Sequence, residues 1–325
     1  YWQKAVLRKA VSLHATNNFS IVHQLTQITF REPGYLWKLG IPFVWGPTGG
    51  TSTFPGSFHR ILSFQSRLLD RIRTISLYYQ FYFSPRVRKA IKYAATIYVF
   101  SRLDEERFKK RANGNVKVML DVGTYSQIAV KPAVKINQGK LKVIWCGRLD
   151  EFKALFILLH SIAGSHLIQQ NVTFQIVGSG PLGDSLRISA EKLKLSNIEW
   201  TGRVSHEEVF SLMGKADFFV HTSIREATSS VIPEALSMGL PVICHDAYGM
   251  GIAINDSCGI KIPLVSPERS IACFRSAIEQ LVRDRVLLSN LRRGAFRRVS
   301  EINWDNMART ISVDYYNVIV SKQDQ

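Results

Sequence analysis

A chain of 325 residues is long enough for two domains, and 46% hydrophobic with 21% charged residues is a globular balance that excludes disordered, collagen-like and disulfide-scaffold classes. The net charge of +17 is unevenly placed, because residues 1–140 hold 22 basic and 6 acidic side chains while residues 141–325 hold 20 and 19. Different partners are therefore expected for the two halves.

In the first half, Phe19–Leu25 and Pro42–Trp45 read as strands, the second ending in the loop Gly46-Pro47-Thr48-Gly49-Gly50. Thr96–Ser101 and Val116–Leu120 read as two more, with helices in the gaps, which makes an α/β unit. No strand with a Gly-rich turn is read at the very start. Residues 57–93 carry Arg60, Arg67, Arg71, Arg73, Arg86, Arg88, Lys89 and Lys92 against one acid, Asp70. Aromatic and aliphatic residues alternate with them at helical spacing. Such a stretch suits an anionic membrane surface, or its apolar residues are core and its basic ones solvated.

The second half is more regular. Val143–Cys146, Thr173–Val177, Ile198–Thr201, Asp217–Thr222 and Pro241–His245 read as short apolar strands. Helical stretches alternate with them: Lys153–Gln170, a segment to Leu195, one opened by the capping-box pattern Ser205-His206-Glu207-Glu208, and Ser230–Met238. This alternation predicts βαβ units and a parallel, doubly wound domain over roughly residues 140–300. A last helix is expected at about 303–320. No apolar run reaches the roughly 18 residues of a membrane span. Cys146, Cys244, Cys258 and Cys273 form no CxxC pair and fit a reducing compartment, so a cytoplasmic location is expected.

Four elements gather at the carboxyl ends of these strands, where open α/β sheets bind ligands. Arg148 and Lys153 follow the first strand; they suit a pyrophosphate, or form an ordinary basic loop beside Asp150 and Glu151. Gly178-Ser179-Gly180-Pro181 is a loose phosphate-loop pattern or a tight turn. Gly202-Arg203-Val204 follows the next strand. Glu226 and Glu234 bracket small residues where a helix opens, a place where backbone N–H groups can meet an anion; read alone, both are equally solvated acids. His23 and His245 lie at strand ends and either face a cleft or pack, whereas His206 in the capping box reads as a surface residue.

Together the stretches Gly147–Lys153, Gly178–Pro181, Gly202–Val204 and Glu226–Val242 resemble the C-terminal domain of retaining glycosyltransferases of the GT-B fold, family four, also called glycosyl transferase group 1. Ile21-Val22-His23 and Trp45–Gly50 resemble that family's acceptor domain. The resemblance implies two Rossmann-like doubly wound α/β domains facing a cleft. These are an acceptor-side domain at 1–139 lacking its first strand and Gly-rich loop, a nucleotide-sugar domain at 140–302, and a helix at 303–325 packing back on the first domain. It implies Arg148 and Lys153 at the donor diphosphate with the N–H groups around Ser229 and Ser230, and Glu226 and His23 at the donor sugar. It further implies Glu234 on the ribose, Gly178, Gly180, Arg203 and Val204 framing the base, and Gly49 and Gly50 in the cleft loop. Ala154 departs from the family's usual Gly, Ala227-Thr228-Ser229 from its Gly-aromatic-Gly, and Ser20 from its Asp.

The implied activity is transfer of a hexose from a nucleotide sugar, UDP- or GDP-linked, to a glycan or lipid-linked acceptor with retention of configuration, in cell-surface polysaccharide or glycolipid synthesis. No cofactor and no metal is expected, and the chain contains no Asp-x-Asp motif. The expected partners are the nucleotide sugar, the acceptor and an anionic membrane surface contacted through 57–93, placing the chain peripherally at the inner face of the membrane. A non-catalytic GT-B-like subunit and a nucleotide-sugar epimerase are the alternatives. Nucleic acid is not an expected partner, because no binding motif accompanies the charge.

Overall fold

The computed structural model describes residues 1–124 and 139–323. It divides into two compact units, one of residues 1–53, 64–121 and 305–325, the other of residues 54–63 and 122–304.

The first unit is built on a parallel four-stranded sheet, β1 (Val22–Gln24), β2 (Phe43–Thr48), β3 (Ala94–Val99) and β4 (Asn115–Val118), in the order β1-β2-β3-β4. Its strands alternate: Phe43, Trp45, Ile97 and Val99 enter one core with Phe30, Leu77, Phe81, Ile91 and Phe108. Val44 and Tyr98 point the other way and meet Met307, Ile311 and Tyr315. Period-two alternation thus covers both faces of the sheet. The first core is roofed by α2 (Phe64–Phe83), α3 (Pro85–Tyr93) and α4 (Arg102–Lys109), after α1 (Trp2–Asn17) opens the chain. Capping follows the sequence: Ser84 accepts from Val87 N with Pro85 at the first helical position, and Ser101 accepts from Asp104 N. The last helix, α13 (Trp304–Gln323), is tied to the sheet by Asp314, which accepts from Tyr98 Oη at 2.6 Å and Lys117 Nζ at 2.5 Å.

One expectation for this unit changes, and one of two open readings is narrowed. The Gly46–Thr48 segment is not loop but the second half of β2, with a register shift against β3 between Trp45 and Thr48. The apolar residues of 57–93 are not mainly core. Helix α2 buries only Asp70, Leu77 and Phe81, while Phe64, Leu68, Leu69, Ile72, Ile75, Tyr78, Tyr79, Tyr82 and Phe83 are exposed, up to 75% at Phe64.

The second unit holds a six-stranded parallel sheet of β5 (Leu141–Cys146), β6 (Val172–Val177), β7 (Ile198–Gly202), β8 (Phe218–His221), β9 (Val242–His245) and β10 (Gly259–Ile262). The spatial order is β10-β9-β8-β5-β6-β7. Buried on both faces, these strands are near-continuous apolar runs: all of β8 and β9 is buried, and Val143, Phe174, Ile176 and Phe218 join the main core. The connecting helices are α5 (Leu155–Ala163), α6 (His166–Asn171), α7 (Gly183–Lys192), α8 (His206–Gly214), α9 (Val231–Ser237), α10 (Tyr248–Ala253), α11 (Pro267–Arg283) and α12 (Arg285–Glu301). The helix predicted over Lys153–Gln170 is two, broken where Ser165 caps α6 by accepting from Ile168 N. Helix α10, strand β10 and helices α11 and α12 lie between the strand Pro241–His245 and the helix at about 303–320, where no element is read from sequence.

Candidate functional site

Topology places the site of the second unit. The chain runs from β5 outward through β6 and β7, then returns to β8 on the other side of β5. Neighbouring strands whose connections leave in opposite directions open a crevice at their carboxyl ends, the usual ligand position of such sheets. The loop after β5 carries Arg148 and Lys153, and the loop after β8 carries Glu226, Ser229 and Ser230.

These two loops meet. Lys153 Nζ donates to Glu226 Oε2 at 2.6 Å, with 18% and 19% of the two side chains exposed. Lys153 is held at its backbone as well: its N–H donates to Asp150 Oδ1 at 2.9 Å and its carbonyl accepts from Thr222 Oγ1 at 2.7 Å. Thr222 in turn accepts from Trp145 Nε1 at 2.9 Å. Glu226 Oε2 also accepts from Ser223 Oγ at 3.0 Å. The ammonium and the carboxylate are therefore presented by braced backbone rather than free loops. Ala154, directly after Lys153, has φ 48 and ψ 43 and starts α5. That left-handed conformation is the one glycine adopts without strain, so Ala154 carries a strain that a Gly there would not. Arg148 is exposed and lies 3.6 Å from Asp150.

Glu234, on α9, sits with Oε1 3.4 Å from His206 Nε2, so the exposed His206 reaches the site edge despite its surface position. Burial and the nearby Glu234 charge push the Cys146 thiol up to about 11, against the opposing charge of Lys153. Cys146, Lys153, Glu226 and Glu234 therefore share one electrostatic neighbourhood at the end of β5, and the thiol stays protonated and inert. Ser229 is buried and Ser230 exposed at the start of α9. Gly178 and Gly180 serve close backbone packing: Gly147 N donates to Val177 O, Leu149 N to Ser179 O and Gly178 N to Gly202 O, at 2.8 to 3.0 Å. They therefore form the tight turn that braces the Arg148 loop. Arg203 is exposed and Val204 half-buried just beyond β7.

In the first unit, His23 has both ring nitrogens engaged. Nε2 donates to the Gly46 carbonyl at 2.7 Å, which leaves Nδ1 to accept from the Tyr315 hydroxyl. Burial lowers its pKa, so the ring is a neutral, packed strand-end histidine. Gly49 and Gly50 follow β2; Gly49 donates to Ile28 O at 2.9 Å, and Gly50 has φ 87 with open space where a side chain would stand. Next to them, the fully buried Asp104 accepts from Thr51 N at 3.0 Å, Thr51 Oγ1 at 2.5 Å and Ser101 Oγ at 2.5 Å.

Sequence reasoning missed several residues that shape these sites. Asp150, Thr222, Ser223 and Asp104 carry no motif of their own. His245 is also a packing residue: fully buried, it donates from Nδ1 to Ser223 O and accepts at Nε2 from Ser270 Oγ, both at 2.9 Å. Burial pulls its pKa down to about 4, so it fixes the β8 loop as a neutral ring. His221, at the end of β8, is fully buried 3.9 Å from Glu226 Oε2.

The family model of glycosyl transferases group 1 matches residues 126–298. The chain is 28% identical over 179 residues to a D-inositol 3-phosphate glycosyltransferase of Streptomyces bingchenggensis, 51% of this chain and 38% of that protein. It is 25% identical over 180 residues to a glycogen synthase of Mycobacterium tuberculosis, 54% of this chain and 42% of that protein. The matched stretch thus spans about two-fifths of these relatives' length. Among solved structures, a sucrose-phosphate synthase from Thermosynechococcus elongatus superposes with a TM-score of 0.63 at 18% identity, covering 97% of this chain and 78% of that one. A glycosyltransferase from Rickettsia africae gives 0.64 at 16% identity, covering 96% and 80%. Anabaena HepE in complex with UDP gives 0.62 at 19% identity, covering 95% and 82%.

Proposed function

This chain belongs to the group 1 glycosyl transferases, with two parallel α/β units of the GT-B type, and from that premise we propose that it moves a hexose from a UDP- or GDP-linked donor to a glycan or lipid-linked acceptor, with retention and without a metal ion. The observation that carries the reading is the Lys153–Glu226 pair, held at 2.6 Å at the switch point of the second sheet. A UDP complex of a protein sharing the fold supports a nucleotide sugar as donor.

In this reaction the bond between the anomeric carbon and the diphosphate breaks, and the acceptor oxygen bonds to that carbon from the same face. Its proton passes to an oxygen of the departing diphosphate. Negative charge grows on the leaving group, and Lys153 and Arg148 stabilise it electrostatically, with the N–H groups around Ser229 and Ser230 beside them. Glu226 holds the donor sugar. Glu234 accepts from both ribose hydroxyls, as a carboxylate can. Gly178, Gly180, Arg203 and Val204 border the base. His23, with both ring nitrogens engaged, is left out of the donor contacts.

Glu234→Ala is expected to weaken binding of UDP or GDP by roughly ten- to hundred-fold, the loss that goes with hydrogen bonds to a charged group. Calorimetry with both nucleotides checks it, and unchanged affinity for the one the native protein binds would contradict the ribose role.

We place the chain at an anionic membrane surface, at the inner face of a cytoplasmic membrane, in synthesis of a polysaccharide or glycolipid. Among the described residues no helix is long and apolar enough to cross a membrane. The support is α2, which exposes nine large apolar side chains together with Arg67 and Arg71. Apolar insertion with basic residues at the headgroups is the pattern of interfacial helices. The protein is expected to sediment with vesicles of phosphatidylserine and phosphatidylcholine at low salt, and Leu68→Asp with Ile72→Asp to abolish this. Equal sedimentation of the double variant would overturn the assignment.

A further inference from the structure

His221 is a buried imidazole that the reaction as described does not use. It ends β8, the strand lying against β5, and is 1% exposed. Among the described residues neither ring nitrogen makes a hydrogen bond. A buried polar group in that state costs stability, and leucine would fill the same core without the cost. Three titratable groups surround the ring. Glu226 Oε2 is 3.9 Å from Nε2, and Lys153 and His245 act on it electrostatically. Burial first, then those two neighbours, holds its pKa well below the ordinary value. The ring is neutral and carries one hydrogen, which belongs on Nε2, because a lone pair there would face the carboxylate.

Glu226 Oε2 has two nearer donors, Lys153 Nζ at 2.6 Å and Ser223 Oγ at 3.0 Å. In the proposed reaction Lys153 also serves the donor diphosphate. An ammonium shared with a diphosphate binds the carboxylate less tightly, and a half-buried carboxylate left short of donors is costly. We propose that His221 is a positioning residue for donor binding: as the diphosphate draws Lys153 away, Nε2–H closes the 3.9 Å gap and donates to Glu226 Oε2, which keeps the carboxylate aimed at the donor sugar. The inference rests on the assignment of Lys153 to the diphosphate and Glu226 to the sugar.

The test is calorimetry on the full chain with UDP, GDP, UDP-glucose, UDP-N-acetylglucosamine and GDP-mannose, on the native protein, His221→Leu and His221→Gln. Gln places an amide N–H near the position of Nε2. Expected for His221→Leu is a loss of roughly ten- to hundred-fold in affinity for the nucleotide sugar, with affinity for the matching diphosphate unchanged within about two-fold and a melting temperature equal or higher. His221→Gln recovers most of the loss. A purely structural histidine would move both affinities together, or neither. Native-like sugar binding by His221→Leu, or a Gln variant no better than Leu, would overturn the inference while leaving the donor assignment standing. A native protein that binds none of the five ligands would overturn the donor assignment, and the inference with it.

Discussion

Lys153→Ala is expected to lower hexose transfer by about 10²–10³-fold, the range for removing one preorganised donor to developing negative charge. Three anchors make Lys153 preorganised: its N–H on Asp150, its carbonyl on Thr222 and its ammonium on Glu226. Fixed geometry is what separates such a group from a flexible surface lysine, since little reorganisation is left to be done during the reaction. The fold is expected to survive, because Glu226 keeps its bond to Ser223 and His221 Nε2, 3.9 Å away, is placed to replace the lost donor. Circular dichroism should match the native protein. Lys153→Arg should remain strongly impaired, because a planar guanidinium does not replace a compact ammonium held in one position. Turnover of Lys153→Ala within about five-fold of native would remove the central cation from the mechanism.

Gly178→Ala is expected to destabilise the second unit by about 3 kcal/mol or more, among the larger single-site effects. Gly178 has φ 133, a region reserved almost entirely for glycine, and a Cβ there would stand 1.9 Å from the Gly147 carbonyl oxygen. That oxygen is backbone, so no rotamer change relieves the clash. The damage should also reach function, because residues 147–149 and 177–182 are joined by backbone bonds from Gly147, Leu149 and Leu182. Displacing one displaces the loop that carries Arg148. Urea unfolding measures the first effect and nucleotide affinity the second; stability within about 1 kcal/mol of native would contradict the packing argument.

What the sequence revealed was what is local. Strands buried on both faces are short apolar runs, so β5, β6, β8 and β9 stand out, and a charged residue just past such a run lies at a sheet edge by geometry alone. Arg148, Lys153, Glu226 and Glu234 are singled out in this way and through the family resemblance. Contacts between distant positions were not legible: Trp145 with Thr222, Thr222 with Lys153, and Asp104 with Thr51. No periodicity marks a serine or threonine as a brace. The strand-end histidines show the same limit. His23, His221 and His245 look alike in sequence, yet His23 and His245 spend both ring nitrogens on protein partners, while among the described residues His221 spends neither on a hydrogen bond. Helix α2 stayed open because its apolar residues occur on every side of the helix, so spacing does not separate a buried stripe from an exposed one. The four residues of β10 were missed because Gly259 and Lys261 interrupt the apolar pattern.

The charge division also has a structural counterpart. In the second unit individual charges sit at the switch point, whereas much of the excess in residues 57–93 lies on α2 and α3 beside exposed aromatic and aliphatic side chains. In the proposed reading the first surface suits a small phosphorylated ligand, and the second an extended anionic one.

The most direct measurement is calorimetric titration of the native chain and of Lys153→Ala with UDP, GDP and the corresponding hexose nucleotides. One nucleotide family should bind the native protein, with the nucleotide sugar bound through Glu226 as well as the diphosphate, and Lys153→Ala should lose at least about ten-fold for the diphosphate, the scale of a charge-assisted hydrogen bond. Binding by neither family, or binding that Lys153→Ala leaves intact, would contradict the placement of the donor at this site.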